Sequence, residues 1–175
     1  VRCVDDEGKP VPTGEVGEIV IKARFLMKGY WNRPDATEEA VKNGFFHTGD
    51  AGYFDEDGFL YIHDRIKDMI VSGGENVYPA EVENALFSHP GVADVAVIGV
   101  PDERWGESVK AIIIVKPGET VTQEDLVAWA KDRIASFKCP KTVDFVSELP
   151  RNPSGKILRK DLREPFWVGH ERRVG

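Results

Sequence analysis

Three short segments carry the residue types from which chemistry at a phosphate or a sugar can be built. Ser154-Gly155-Lys156 sets a lysine beside a glycine in a polar loop, and an ammonium on a long flexible stem is a mobile point charge suited to phosphate oxygens. The segment is not a P-loop, since the earlier glycine of that pattern is missing and Ile157 stands where Ser or Thr would meet magnesium. Thr48-Gly49-Asp50 follows a strand-like run, where an aspartate can accept hydrogen bonds from two neighbouring hydroxyls such as those of a ribose. Ser72-Gly73-Gly74 places paired glycines where backbone can approach a ligand closely. Taken singly, each also has an ordinary reading: a surface lysine, a turn aspartate, a β-bulge.

Other candidate groups point away from chemistry. Asp55, Glu56 and Asp57 form the densest acidic cluster, but Gly58 beside them marks a solvated hairpin turn, and no metal ligands are assigned. His47 and His63 lie in strand-like segments and read as packing or hydrogen-bonding residues. His89 suits the negative end of a helix, and His170 falls in the terminal tail. None is assigned a catalytic role.

The elements that must position these groups change character along the chain. Residues 17 to 63 read as β structure: Glu18 to Lys22 alternates, and Phe45-Phe46-His47 and Phe59 to Ile62 lie on either side of the Asp-Glu-Asp-Gly turn. Asp64-Arg65-Ile66-Lys67-Asp68 reads as a charged break and sets a domain boundary. Beyond it comes a helix with Pro79 at its first position, Val82 and Leu86 on one face, and Glu81 and Glu83 near its positive start. Ala93 to Val100 and Val109 to Val115 read as buried strands. A helix opened by Thr122 with Asp125 follows, its inner face assigned to Leu126, Ala130, Ile134 and Phe137. Val143 to Val146 is a last strand, and the Arg151 to Lys156 loop precedes a short basic helix. The predicted class is α+β: a small C-terminal α+β domain preceded by the β-rich end of a larger N-terminal domain.

Composition narrows the function classes. The chain has 175 residues, 41% hydrophobic and 30% charged, which predicts a folded globular protein. A formal charge of −7 excludes a nucleic-acid binder, which needs a basic face. Cys3 and Cys139 are too few for a disulfide framework. With no apolar run of membrane-spanning length and no leader, a soluble cytoplasmic protein is expected. Val1 is not an initiator methionine, and the opening residues read as the middle of a domain, so the chain is expected to be a fragment.

Taken in order, Gly17-Glu18-Ile19, Gly29-Tyr30-Trp31, Thr48-Gly49-Asp50, Asp64 to Asp68, Ser72 to Pro79 and Pro150 to Lys156 resemble the motifs of the adenylate-forming (AMP-binding) superfamily, which includes acyl-CoA synthetases, peptide-synthetase adenylation domains and firefly luciferases. The Ser-Gly-Gly-Glu-Asn-Val-Tyr-Pro segment is most similar to fatty-acid and aryl-acid CoA ligases. The resemblance implies residues 1–64 as the end of the N-terminal AMP-binding domain, 65–67 as hinge and 68–175 as a mobile C-terminal domain. It implies that a carboxylic acid reacts with ATP, with Mg2+ bound mainly upstream, to give an acyl-adenylate, from which CoA takes the acyl group as a thioester. Lys156 is then the catalytic residue, Asp50 and Arg65 bind the nucleotide sugar, and Lys67 is the hinge. Gly73 and Gly74 line the pantetheine channel, and Trp105 and Phe137 match aromatic CoA contacts of aryl-CoA ligases. Where those relatives carry an arginine for CoA phosphate this chain has Cys139, leaving Lys138 or Lys141 to supply the charge. A fatty acid is the expected substrate; an aryl-CoA ligase, a carrier-protein loader and, for the fragment alone, which is expected to be inactive, a non-catalytic CoA-contacting module are the alternatives.

Overall fold

The computed structural model describes residues 1–170. The chain forms two compact units, Val1–Ile66 and the segment from Lys67 onward. The last residues of the expected C-terminal domain, 171–175, lie outside the described residues.

The first unit is a five-stranded sheet built on β4 (Phe45–Phe54). β2 (Gly17–Ile21) pairs with β4 and carries β1 (Arg2–Val4), while β3 (Val41–Lys42) and β5 (Leu60–Arg65) also pair with β4, every pair antiparallel. A short helix, α1 (Pro34–Ala40), precedes β3. The Asp55 to Gly58 turn closes β4 onto β5: the Asp55 carboxylate accepts from the backbone N–H of Asp57 and Phe59 at 3.1 and 2.8 Å, and Gly58 takes φ +82°. Asp64 and Arg65 correct the reading of a charged break, for they are the last residues of β5. Strand pairing sets Arg65 across from Asp50, and that opposite charge makes a polar strand end stable.

The second unit is built on a long hairpin, β8 (Val92–Asp102) with β9 (Gly106–Val115). β10 (Thr142–Phe145) runs parallel to β9, and β6 (Ile70–Ser72) pairs with β9 at Ser72 and with β7 (Glu75–Val77) in a tight hairpin. Alternation along the strands fills two cores. Val95, Val97, Val109, Ala111 and Ile113 pack with Val82 and Leu86 of α2 (Pro79–Phe87) and with Leu126 and Ala130 of α3 (Gln123–Lys131). Ala96, Ile98, Val100 and Ile112 face the other way, against Leu149, Ile157 and Leu162. The helix starts follow local chemistry, with Pro79 at the first turn of α2 and a reciprocal Thr122–Asp125 capping box on α3.

Phe137 departs from its expected place on the inner face of α3. The helix ends at Lys131, so Phe137 falls in a separate 3-10 turn, Ser136–Lys138, where it is 44% exposed. Leu86 shows what the packed face contributes, being fully buried between helix and sheet. Leu86→Ala is expected to lower the unfolding free energy by about 2–5 kcal/mol, read as a fall in denaturant midpoint at unchanged slope.

Candidate functional site

In the first unit the Thr48-Gly49-Asp50 segment is held by β2 beneath it. The Thr48 hydroxyl donates to the Ile19 carbonyl at 2.8 Å and accepts from the Asp50 N–H at 3.0 Å. Gly49 takes φ +71°, a conformation glycine reaches without a Cβ penalty, and its N–H donates to Glu18 at 3.1 Å. The other Glu18 oxygen meets His47 Nδ1 at 2.6 Å, which gives His47 a hydrogen-bonding role. Arg65 Nε lies 3.0 Å from Asp50 Oδ1, and Arg65 Nη1 donates to the Thr48 carbonyl at 3.2 Å. The two proposed sugar-binding residues are therefore one ion pair, its side chains 34% and 42% exposed. Asp50 and Arg65 thus bring a carboxylate acceptor and a guanidinium donor together on a partly exposed strand pair, the two kinds of group that a vicinal diol needs.

In the second unit the glycine pair and Trp105 come together. Gly73 and Gly74 are the two loop residues of the β6–β7 hairpin, with φ +64° and +89°, which a two-residue hairpin turn requires. They differ in surroundings: a Cβ on Gly73 would sit 2.7 Å from the Trp105 ring, whereas one on Gly74 would meet open space. The Gly73 N–H donates to the Trp105 carbonyl at 2.9 Å. Both glycines and Trp105 border a cavity of about 940 Å³ that is also lined by Asp102, Arg104 and Glu107, among others. Phe137 is not among its lining residues.

Trp105 is 39% exposed and attended by two cations, with Lys141 Nζ 4.3 Å and Arg104 Cζ 4.6 Å from its ring. Its turn is fixed by Asp102, whose Oδ1 accepts from the N–H groups of Arg104 and Trp105, each at 3.0 Å. Desolvation raises the Asp102 pKa, but those two N–H groups, Lys141 and Ser108 outweigh it and hold the carboxyl below its ordinary range. The two candidate lysines have different surroundings. Cys139 is buried at 5% exposure, its thiol pushed up by desolvation, and Lys138 lies 2.7 Å from both oxygens of Glu81. Lys141 is the lysine that reaches the aromatic beside the cavity. Arg104 escaped the sequence reading; its one signal was a position next to Trp105 in the tight link between two buried strands.

The Lys156 loop is tied by the side chains of Asn152 and Arg151, the latter donating to the Gly155 carbonyl. Asn152 Oδ1 accepts from Ser154 N, Ser154 Oγ and Lys156 N at 3.0, 2.7 and 2.9 Å, and Arg151 and Ile157 form a bridge across the base. Gly155 takes φ +84°, and Arg151 pairs with Asp94 on β8. Lys156 is exposed on this fixed loop, and its ammonium makes no ion pair among the described residues. Lys67 lies in the 3-10 turn Ile66–Asp68, at the division between the two units.

Residues 81–156 match the AMP-binding enzyme C-terminal domain. The chain is 50% identical over 173 residues to the fatty acid–[acyl-carrier-protein] ligase ScoC of Streptomyces coeruleorubidus, an alignment of 99% of this chain and 33% of that protein. It is 53% identical over 161 residues to the long-chain-fatty-acid–CoA ligase FadD13 of Mycobacterium tuberculosis, covering 92% of this chain and 32% of the relative. The ATP-bound structure of MatB from Rhodopseudomonas palustris superposes with a TM-score of 0.88 at 40% identity, over 97% of this chain and 34% of that one. The chain thus spans about a third of the length of these relatives.

Two outcomes follow for the Trp105 cluster. Gly73→Ala is expected to displace the Trp105 indole and Gly74→Ala to leave it in place, both at some cost in turn strain of about 1 kcal/mol or more; the indole N–H chemical shift of Trp105 reads the difference. Because the folded Asp102 pKa is depressed, the stability it contributes is present above the ordinary carboxylate pKa and is lost as pH falls through the lower folded value. The same indole signal should therefore shift on acidification below the ordinary carboxylate range, and Asp102→Asn should abolish that titration.

Proposed function

We propose, for a chain that belongs to the adenylate-forming AMP-binding enzyme family, that it is the C-terminal portion of an ATP-dependent acyl-CoA ligase whose acid is a fatty acid. In the first step a carboxylate oxygen attacks the α-phosphorus of ATP and the bond to the bridging oxygen of pyrophosphate breaks. In the second the CoA sulfur attacks the acyl carbon, and AMP leaves with the electrons of the acyl–oxygen bond.

The observation that carries the reading is the Lys156 loop. Its backbone is held by Asn152, so its ammonium is offered on a fixed base and, among the described residues, makes no ion pair. Lys156 would sit between the incoming carboxylate and the α-phosphate, two groups that repel each other, and offset the charge that grows on the phosphoryl oxygens. Asp50 and Arg65 suit the nucleotide sugar as a pair, the carboxylate accepting from the hydroxyls and the guanidinium donating to the same ring. Mg2+ would accompany the phosphates of ATP and offset their charge, and no residue of this chain is assigned to it.

For thioester formation the Gly73–Gly74 hairpin would border the pantetheine arm, with Trp105 offering an aromatic face and Lys141 and Arg104 the cations for CoA phosphate. Phe137 is partly exposed with Lys138 near its ring, but it is placed apart from this cavity and is the weaker CoA candidate. The hinge role of Lys67 is supported by its position between the units. No helix among the described residues is long and apolar enough to cross a membrane.

A carrier-protein loader is the second reading, favoured by the similarity to a ligase named for an acyl-carrier-protein acceptor. An aryl acid would leave every residue above in the same role, because none of them is assigned to the acid's chain or ring. In the full-length protein a pyrophosphate-release screen over fatty and aromatic acids identifies the acid, and offering CoA or a phosphopantetheinyl protein identifies the acceptor. Lys156→Ala is expected to lower adenylation by about 10²-fold or more while thioester formation from supplied acyl-AMP stays near wild type. Equal loss of both half-reactions would refute that division of labour.

A further inference from the structure

Behind the Lys156 loop lie four charged side chains that none of the roles above uses. α4 (Arg159–Arg163) begins three residues after Lys156. Arg159 forks onto Glu83 of α2, Nε to Oε1 at 3.0 Å and Nη2 to Oε2 at 2.6 Å, and Glu83 Oε1 also accepts from the Val97 N–H at 2.9 Å. The remaining Arg159 nitrogen, Nη1, lies 3.5 Å from Asp68 Oδ2. Arg163 Nη1 lies 3.5 Å from Asp68 Oδ1 and donates to the Lys67 carbonyl at 3.4 Å. The four side chains are 13–15% exposed, so two cations and two anions balance each other where water screens them weakly.

We infer that Arg159 and Arg163 are positioning residues, which bind the peptide plane joining Lys67 to Asp68 to the helix behind the Lys156 loop and so place the pivot of domain rotation at the φ and ψ torsions of Lys67. This rests on the proposed function for the role of Lys67 and Lys156, but the clamp itself does not. The Lys67 carbonyl and the Asp68 N–H belong to one rigid planar group. With its oxygen held by Arg163, and the adjoining carboxylate held by both arginines, that plane travels with the second unit. The nearest soft torsions upstream are then ψ and φ of Lys67. The short fork from Arg159 to Glu83 anchors α4 to α2 and β8, and the longer bonds to Asp68 and Lys67 carry the hinge end of the same brace. A turn about Lys67 is thereby delivered to the Lys156 loop instead of being absorbed by a loosened 3-10 turn. Removing the Arg163 end should spread the motion over Lys67, Asp68 and Met69 and make delivery of the lysine slower and less accurate.

The test compares wild type and Arg163→Gln by limited trypsin digestion of this chain and by kinetics of the full-length protein. Two Lys–Asp bonds serve as probe and internal control, Lys67–Asp68 at the clamp and Lys131–Asp132 at the end of α3. Arg163→Gln is expected to speed cleavage after Lys67 about tenfold or more while leaving cleavage after Lys131 unchanged, because only the local opening has become easier. In the full-length protein the adenylation kcat should fall about tenfold with the KM for ATP nearly unchanged. Arg163→Lys keeps the charge but shortens the reach to the Lys67 carbonyl and Asp68, and should give an intermediate value in both assays. Unchanged cleavage after Lys67, or equal acceleration at both bonds, overturns the clamp. Faster cleavage at Lys67 with unaltered kcat overturns its role in positioning. If wild-type full-length protein releases no pyrophosphate with any acid, the ligase reading fails while the digestion still decides the clamp.

Discussion

The second unit depends on the burial of both faces of one hairpin. β8 and β9 alternate apolar residues to either side, so a single helical layer could cover only half of what they expose. α2 and α3 take the face of Val95, Val97 and Ile113. Ala96, Ile98 and Ile112 need a second cover, and the chain supplies it from Leu149, Ile157 and Leu162. These last residues bracket the Lys156 loop on both sides. The loop is therefore positioned by a hydrophobic demand that has nothing to do with phosphate: Leu149 and Ile157 must be buried, and the polar segment between them is carried to the surface as a consequence. Asn152 then closes the loop internally, which satisfies backbone groups that the sheet does not reach.

Charge is handled by a different rule in each unit. On the first, Asp50 and Arg65 meet across a strand pair at the surface, where water screens the bond. On the second, Glu83 and Arg159 are enclosed, so their bond is a fixed part of the framework. The first pair is left open to solvent, and the second is largely withdrawn from it.

Much of this was written in local pattern. The Pro79 start of α2, the Thr122–Asp125 cap of α3 and the Val- and Ile-rich runs of β8 and β9 each follow from residues within a few positions of one another, and each formed the element expected, the two strands running a few residues longer. The readings that failed needed information from farther away. Phe137 continues the apolar spacing of α3, but the helix stops at Lys131 and the spacing loses its meaning there. Asp64 and Arg65 look like a break until Asp50 is known to lie opposite. Arg159 finds Glu83 from 76 positions away, and no local signal distinguishes it from the other basic residues of its short helix.

Gly73 and Trp105 lie on different hairpins, yet one has no room for a methyl group because the other fills it, and a backbone hydrogen bond ties them together. For inheritance they are a single locus in two pieces. A lineage that enlarges residue 73 must move or shrink residue 105, so drift in the turn cannot be separated from drift in the aromatic wall of the cavity.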